Sequence, residues 1–203
     1  MAERDRAVTL AITGASGAAY GLRLLDCLVQ AGWQVAFLVS AAGRVVVRTE
    51  TELELPEEPG ELEEFLTVNF DAEPGQIRAY GERDWFAPVA SGSAAPPAMV
   101  ICPASGGTIA AIARGLSGDL IERAADVVLK EKRRLIVVPR ETPVSAIHLE
   151  NQLALARLGA TVLPASPGFY HGPRTVEDLV DFVVARILDQ LGVEQRLVPR
   201  WGE

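Results

Sequence analysis

The stretch AITGASGAAYGLRLLDCL, residues 11–28, decides the fold. It joins a short apolar run, Val8 to Ile12, to a helical pattern over Ala18–Gln30 with apolar residues at Leu22, Leu25 and Val29. Gly14 and Gly17 permit a tight turn that brings backbone N–H groups close to a ligand, and Ser16 can cap the helix behind it. Strand, Gly-rich turn and helix N-terminus in this order make an anion site. The plainer alternative is a βα turn in which the glycines only bend the chain. The spacing is not that of a dinucleotide site, because serine stands at position 16 and Val39-Ser40, not an acid, ends the next strand. No Lys-Ser or Lys-Thr follows the glycines, so the nucleoside-triphosphate loop is absent too. A mononucleotide phosphate such as that of FMN fits better.

Working outward, strands alternate with helices. Val35–Val39, Met99–Cys102, Leu135–Val138 and Thr161–Leu163 read as further strands. Helices are expected over 41–49, from about Gly106, through Ile121 to Lys132, from Ala146 to Leu158 and from Val176 to Leu191. From Pro56 to about Pro97 the chain reads as irregular, with one helical patch near Glu61 to Val68. This pattern predicts a three-layer α/β, Rossmann/flavodoxin-like fold with a mainly parallel sheet, in one domain over 1–203. Ligands of such sheets bind beyond the strand carboxyl ends. Glycines and hydroxyls gather there: Thr13 to Gly17, Ser40, Ser105 to Thr108, Arg140 to Pro143 and Ser166 to His171.

Composition narrows the class. At 203 residues, 49% hydrophobic, with a formal charge of -8, the chain disfavours nucleic acid and anionic membrane surfaces as partners. Much of that acid is local, since eight of the fifteen residues from Glu50 to Glu64 are glutamates. No signal peptide or membrane span is evident, and Cys27 and Cys102 read as buried thiols of a cytoplasmic protein. His148 and His171 have no partner at metal spacing, so no metal is expected. His171 reads as a loop hydrogen-bonder. No nucleophile elbow occurs.

The cations on this acidic chain are the next candidates. Arg123, Asp126 and Lys130 share a helical stripe, either an ordinary surface network or part of a site. Arg140 ends a strand at the site edge, where a guanidinium needs an anion such as Glu141 or a phosphate. Arg186 interrupts an apolar helix. If these converge, they hold a phosphate without a metal.

In this order GASGAAYGLRLLDCL, VSAAGRVVVRTETE, SGS at 91–93, MVICPASGGT, LIERAADVVLKEKRRLIVVPRETP, HLENQLALARLGA and PGFYHGP with VEDLVDFVVARIL run nearly end to end. The chain thereby resembles flavin prenyltransferases of the UbiX type, formerly described as phenylacrylate or 3-polyprenyl-4-hydroxybenzoate decarboxylases. The resemblance implies that the chain joins the dimethylallyl group of dimethylallyl phosphate to N5 and C6 of reduced FMN. The product, prenylated FMN, would serve a UbiD-type decarboxylase, in quinone synthesis or aromatic-acid degradation. It implies a homo-oligomer, typically a dodecamer, with sites at subunit junctions and the tail 196–203, carrying Trp201, at an interface. Gly14, Ala15, Ser16, Ser40, Ser105, Gly106, Gly107, Thr108 and Arg140 would contact FMN. Ser91, Gly92, Arg123, Lys130, Glu141, Tyr170 and Arg186 would handle the allylic phosphate, partly from a neighbouring subunit. Ser16, Glu50, Arg123, Lys130 and Glu141 would be catalytic, with Glu50 facing the flavin edge. Many relatives carry Cys-Ser and a lysine where this chain has Ala104-Ser105-Gly106-Gly107, so the second loop would act through its backbone. A flavin-dependent cysteine or phosphopantothenoylcysteine decarboxylase would want asparagine where Gly107 stands. A non-catalytic FMN-binding protein would have no use for the cations.

Overall fold

The computed structural model describes residues 6–199 and residue 202. Six strands form one parallel sheet in the order β3-β2-β1-β4-β5-β6. They are β1 (Ala7–Ile12), β2 (Gln34–Val39), β3 (Ile77–Ala79), β4 (Ala98–Ala104), β5 (Arg134–Pro139) and β6 (Thr161–Val162). The helices are α1 (Ala18–Gln30), α2 (Ala41–Glu50), α3 (Pro59–Asn69), α4 (Gly106–Ala113), α5 (Leu120–Lys130), α6 (Ala146–Arg157) and α7 (Val176–Leu191). The central strands β1 and β4 are apolar on both faces and almost wholly buried, as a sheet sandwiched between helix layers requires.

Each face has its own core. On one, Leu10 and Phe37 of the sheet meet Leu25 and Leu28 of α1, Val184 and Ile187 of α7, and Leu62 of α3. On the other, Met99 and Ile101 meet Ile112 of α4, Ala124 and Val128 of α5 and Leu155 of α6. The two apolar layers bury side chains at about 25 cal/mol per Å². They also fix which helix lies on which face, and this decides how much of the site one chain can build.

The segment from Pro56 to Pro97 is more ordered than its composition suggests. It holds α3, the edge strand β3 and a single 3₁₀ turn at Pro88–Ala90. Strand β3 has only three residues and no periodicity to read. It is placed by its pairing with β2, Val35 against Ile77, and by the buried Gln76, whose Nε2 donates to Val29 O at 2.8 Å and Trp33 O at 3.2 Å.

The chain runs from β1 to β2 on one side of the sheet, and from β4 to β5 on the other. The carboxyl ends of β1 and β4 therefore bound the crevice where loops diverge, the usual ligand position in such sheets.

Candidate functional site at the β1–β4 crevice

Thr13, the first residue after β1, stitches the two Gly-rich loops together. Its hydroxyl donates to Pro103 O at 2.8 Å and accepts from Ser105 N at 2.8 Å, and the side chain is buried. The sequence places Thr13 among the hydroxyls at the strand ends but does not show that it joins the two loops. Thr13→Val keeps the shape but leaves the half-buried Ser105 amide without its acceptor, while Pro103 O keeps only the Thr13 amide. It should cost about 1–3 kcal/mol, read as a lowered urea midpoint with unchanged slope. An unchanged midpoint would show that the two loops hold without it.

The first loop is built as the glycines suggest. Gly17 has φ 115°, a conformation disfavoured for L side chains, and a Cβ on Gly14 would lie 2.6 Å from that of Ala42, so α2 packs directly on the turn. The cap differs from expectation. Gly17, not Ser16, is the N-cap of α1, and no side chain of its own caps the helix. Instead Glu50, at the end of α2, accepts from Gly17 N and Ala18 N, both at 2.8 Å. The amino end of α1, where the spacing invited a phosphate, is thus closed by a carboxylate.

Partial burial pushes the Glu50 carboxyl upward. The Ser16 hydroxyl, the Gly17 and Ala18 amides and the Arg140 charge outweigh that and hold it below its ordinary value of 4.5. A depressed folded value means the contribution to stability is complete above 4.5 and fades as pH falls through the lower folded value. Glu50→Gln should therefore be less stable than the parent at pH 7, with the gap closing on acidification; a gap independent of pH would contradict this. Arg140 donates through Nε to Ser16 O at 3.2 Å, and its charge acts on Glu50, where the sequence alone offers Glu141 or a phosphate as its anion.

Helix α2 is closed in the same way. Ser40 Oγ accepts from Gly43 N at 3.0 Å, and Glu82 accepts from Ala41 N. Glu82 lies in the segment read as irregular, so its role had no signal in the sequence. At α4, Ser105 is the N-cap, accepting from Thr108 N at 3.2 Å, and its hydroxyl lies 2.9 Å from that of Thr108. The first-turn amides of Gly106 and Gly107 have no intrahelical acceptor, and no carboxylate caps them among the described residues. Glu141 and His148 stand beside Gly106. His148 Nδ1 accepts from Ser145 N at 3.1 Å, in a capping box of α6. Of the amino ends of α1, α2 and α4, that of α4 has no carboxylate accepting from its first-turn amides among the described residues.

The remaining cations do not join this group within one chain. Arg123 pairs with Asp126 at 3.0 Å and donates to Ala90 O at 3.2 Å, next to Ser91. Gly92 lies against Glu131, just beyond α5. Lys130, ten residues along α5 from its crevice end, is about 15 Å down the outer flank. Tyr170 and Arg186 line a cavity of about 480 Å³ with Phe182 and Asp189, on the α7 side of the sheet. The α5 set and the α7 set thus occupy opposite helix layers, so the convergence needed for one phosphate site is not met inside a single chain.

Two expectations of lesser weight change. His171 is not a hydrogen-bonder: it stacks on Phe182 with centroids 5.3 Å apart, and neither ring nitrogen has a partner among the described residues. Cys27 is half-buried rather than buried, and burial pushes its thiol up to about 11. Burial also raises the thiol of Cys102, so neither sulfur is a ready nucleophile. Trp201 lies outside the described residues.

A parallel sheet with an open helix N-terminus at its switch point defines a nucleotide-binding flavodoxin-like protein. A family model described as Flavoprotein matches residues 1–188. A flavin prenyltransferase UbiX of Pseudomonas aeruginosa is 62% identical over 97% of this chain and 94% of its own length. A structure of AnUbiX (PadA1) in complex with FMN and dimethylallyl pyrophosphate aligns with TM-score 0.86 and 36% identity, covering 98% of each chain. A dodecameric FMN-dependent UbiX-like decarboxylase from Escherichia coli O157:H7 aligns with TM-score 0.84 and 37% identity, covering 97% of this chain and 99% of that one. The chain belongs to the UbiX flavin prenyltransferase family of flavoproteins.

Proposed function

We propose that the protein prenylates reduced FMN with dimethylallyl phosphate, at a site completed by neighbouring copies of the chain. The observation that carries this reading is the open amino end of α4 at the sheet's switch point, beside two helix ends already closed by Glu50 and Glu82. The residues fit FMN. The Gly106 and Gly107 amides with Ser105 and Thr108 would hold its phosphate, and Gly14, Ala15, Ser16, Ser40 and Arg140 would contact the rest of it.

Bound reduced FMN supplies N5 as nucleophile for C1 of the allyl group and C6 for its C3. The rest is work for the chain. Arg123, Lys130 and Arg186, with Ser91, Gly92 and Tyr170, hold the phosphate and neutralise the charge it gains as the C1–O bond breaks. Ser16 donates its hydroxyl hydrogen to the ionised Glu50 and can pass a proton at the N5 edge. Glu141 accepts the proton lost from C6, on the Gly106 side of the crevice. Cationic side chains take the role a metal fills in other phosphate-leaving reactions.

Assembly follows from the separation of the α5 and α7 sets. Exposed Phe86, Ile147, Leu149, Leu153 and Leu158 give apolar surface for an oligomer, a dodecamer on this reading, with the 196–203 tail at a contact. The product passes to a UbiD-type decarboxylase. No helix among the described residues is long and apolar enough to cross a membrane, and the free thiols suit the cytoplasm. Anaerobic incubation with reduced FMN and dimethylallyl phosphate, followed by mass spectrometry, should give a flavin heavier by one isoprenyl unit. Unaltered FMN would contradict the reading.

A further inference from the structure

The α7 cavity contains an anion among the groups meant to bind one. Arg186 Nη1 lies 2.6 Å from Asp189 Oδ2, one turn further along α7, and both side chains line the cavity that Tyr170 also lines. The far wall is the folded-back segment 195–199, fixed where Gln195 Oε1 accepts from Leu197 N at 2.9 Å and Val198 N at 3.3 Å. Asp189 is therefore a partly buried part of the pocket wall, competing for the guanidinium.

We infer that Asp189 is a specificity-determining residue that sets the charge the pocket accepts on the prenyl donor. This rests on the reading that Tyr170 and Arg186 handle the allylic phosphate. A donor phosphate must displace the Asp189 carboxylate from Arg186 and then sit near it. The repulsion grows with each charge on the donor, so it penalises a diphosphate more than a monophosphate. Removing it helps both donors and narrows the difference. Among the described residues that line the pocket, Asp189 is the one carboxylate.

Asp189→Asn keeps the shape and the hydrogen-bonding oxygen while removing the charge. The oligomer should be assayed with dimethylallyl monophosphate and diphosphate against reduced FMN, with FMN affinity measured alongside. The KM for monophosphate is expected to fall roughly five-fold, the factor a partly exposed charge pair commands. The KM for diphosphate should fall further. FMN affinity and kcat should hold, and the gain should shrink in high salt. A merely structural role would not separate the two donors. Unchanged KM values in an enzyme whose parent is active, or equal changes for both donors, would overturn the inference alone. A parent that forms no prenyl adduct with either donor would overturn the proposed function, and this inference with it.

Discussion

Gly107→Asp is expected to weaken FMN binding by a hundredfold or more while the protein stays folded. A Cβ at 107 would meet nothing nearer than Ser105 Oγ at 4.0 Å, so the side chain is accommodated. A carboxylate in the first turn of α4 even favours the helix, by about 0.3–1 kcal/mol. Against a phosphate held by the same amides the sign reverses. Two unit charges about 5 Å apart at an effective dielectric of about 20 repel by about 3 kcal/mol, more than a hundredfold in affinity. Flavin fluorescence titration gives the affinity and thermal unfolding of the apoprotein gives the fold. Gly107→Lys should act oppositely and tighten FMN. Normal FMN binding by Gly107→Asp would move the phosphate away from α4.

Arg123→Ala is expected to cut turnover by roughly a hundredfold to a thousandfold, the usual loss when one fixed donor to a developing oxyanion is removed. FMN affinity should stay within about two-fold, because Arg123 is engaged with Asp126 and Ala90 O and is not among the residues assigned to FMN. The structural loss is small. The Asp126 pair is partly exposed and worth at most about 1 kcal/mol. Arg123→Lys should recover part of the rate, since charge is kept but the forked geometry is not. Stopped-flow product formation and an FMN titration on the same preparation separate the two quantities. Lost FMN binding with normal turnover at saturation would assign Arg123 to the flavin instead.

The sheet was legible because β1, β2, β4 and β5 are apolar runs that end in glycine, serine or proline, and each is followed by a helical period. Strand β3 was not, since Ile77–Ala79 owes its place to β2 and to the buried amide of Gln76 rather than to its own pattern. The glycine turn was also legible as a turn, but not the group that fills it. Glu50 lies 33 residues from Gly17, and only the packing of α2 on Gly14 swings its carboxylate onto the α1 amides. The partners of Thr13 and the role of Glu82 were not legible for the same reason: a hydroxyl or carboxylate gains its role from a loop brought near by tertiary structure. Helical spacing puts Arg123, Asp126 and Lys130 on one stripe of α5, but it cannot say that α5 and α7 cover opposite faces of the sheet.

Mixing subunits tests the shared site most directly. Gly107→Asp chains, disabled at the flavin phosphate, and Arg123→Ala chains, disabled at the allylic phosphate, should be dissociated, combined and reassembled. If one site draws its flavin loop from one copy and Arg123 from another, some junctions in the mixture contain two intact halves. Prenyl-FMN formation then rises well above that of either variant alone. Activity that stays at the level of the separate variants, in mixed oligomers verified by mass, would place the whole site in one chain and contradict the account.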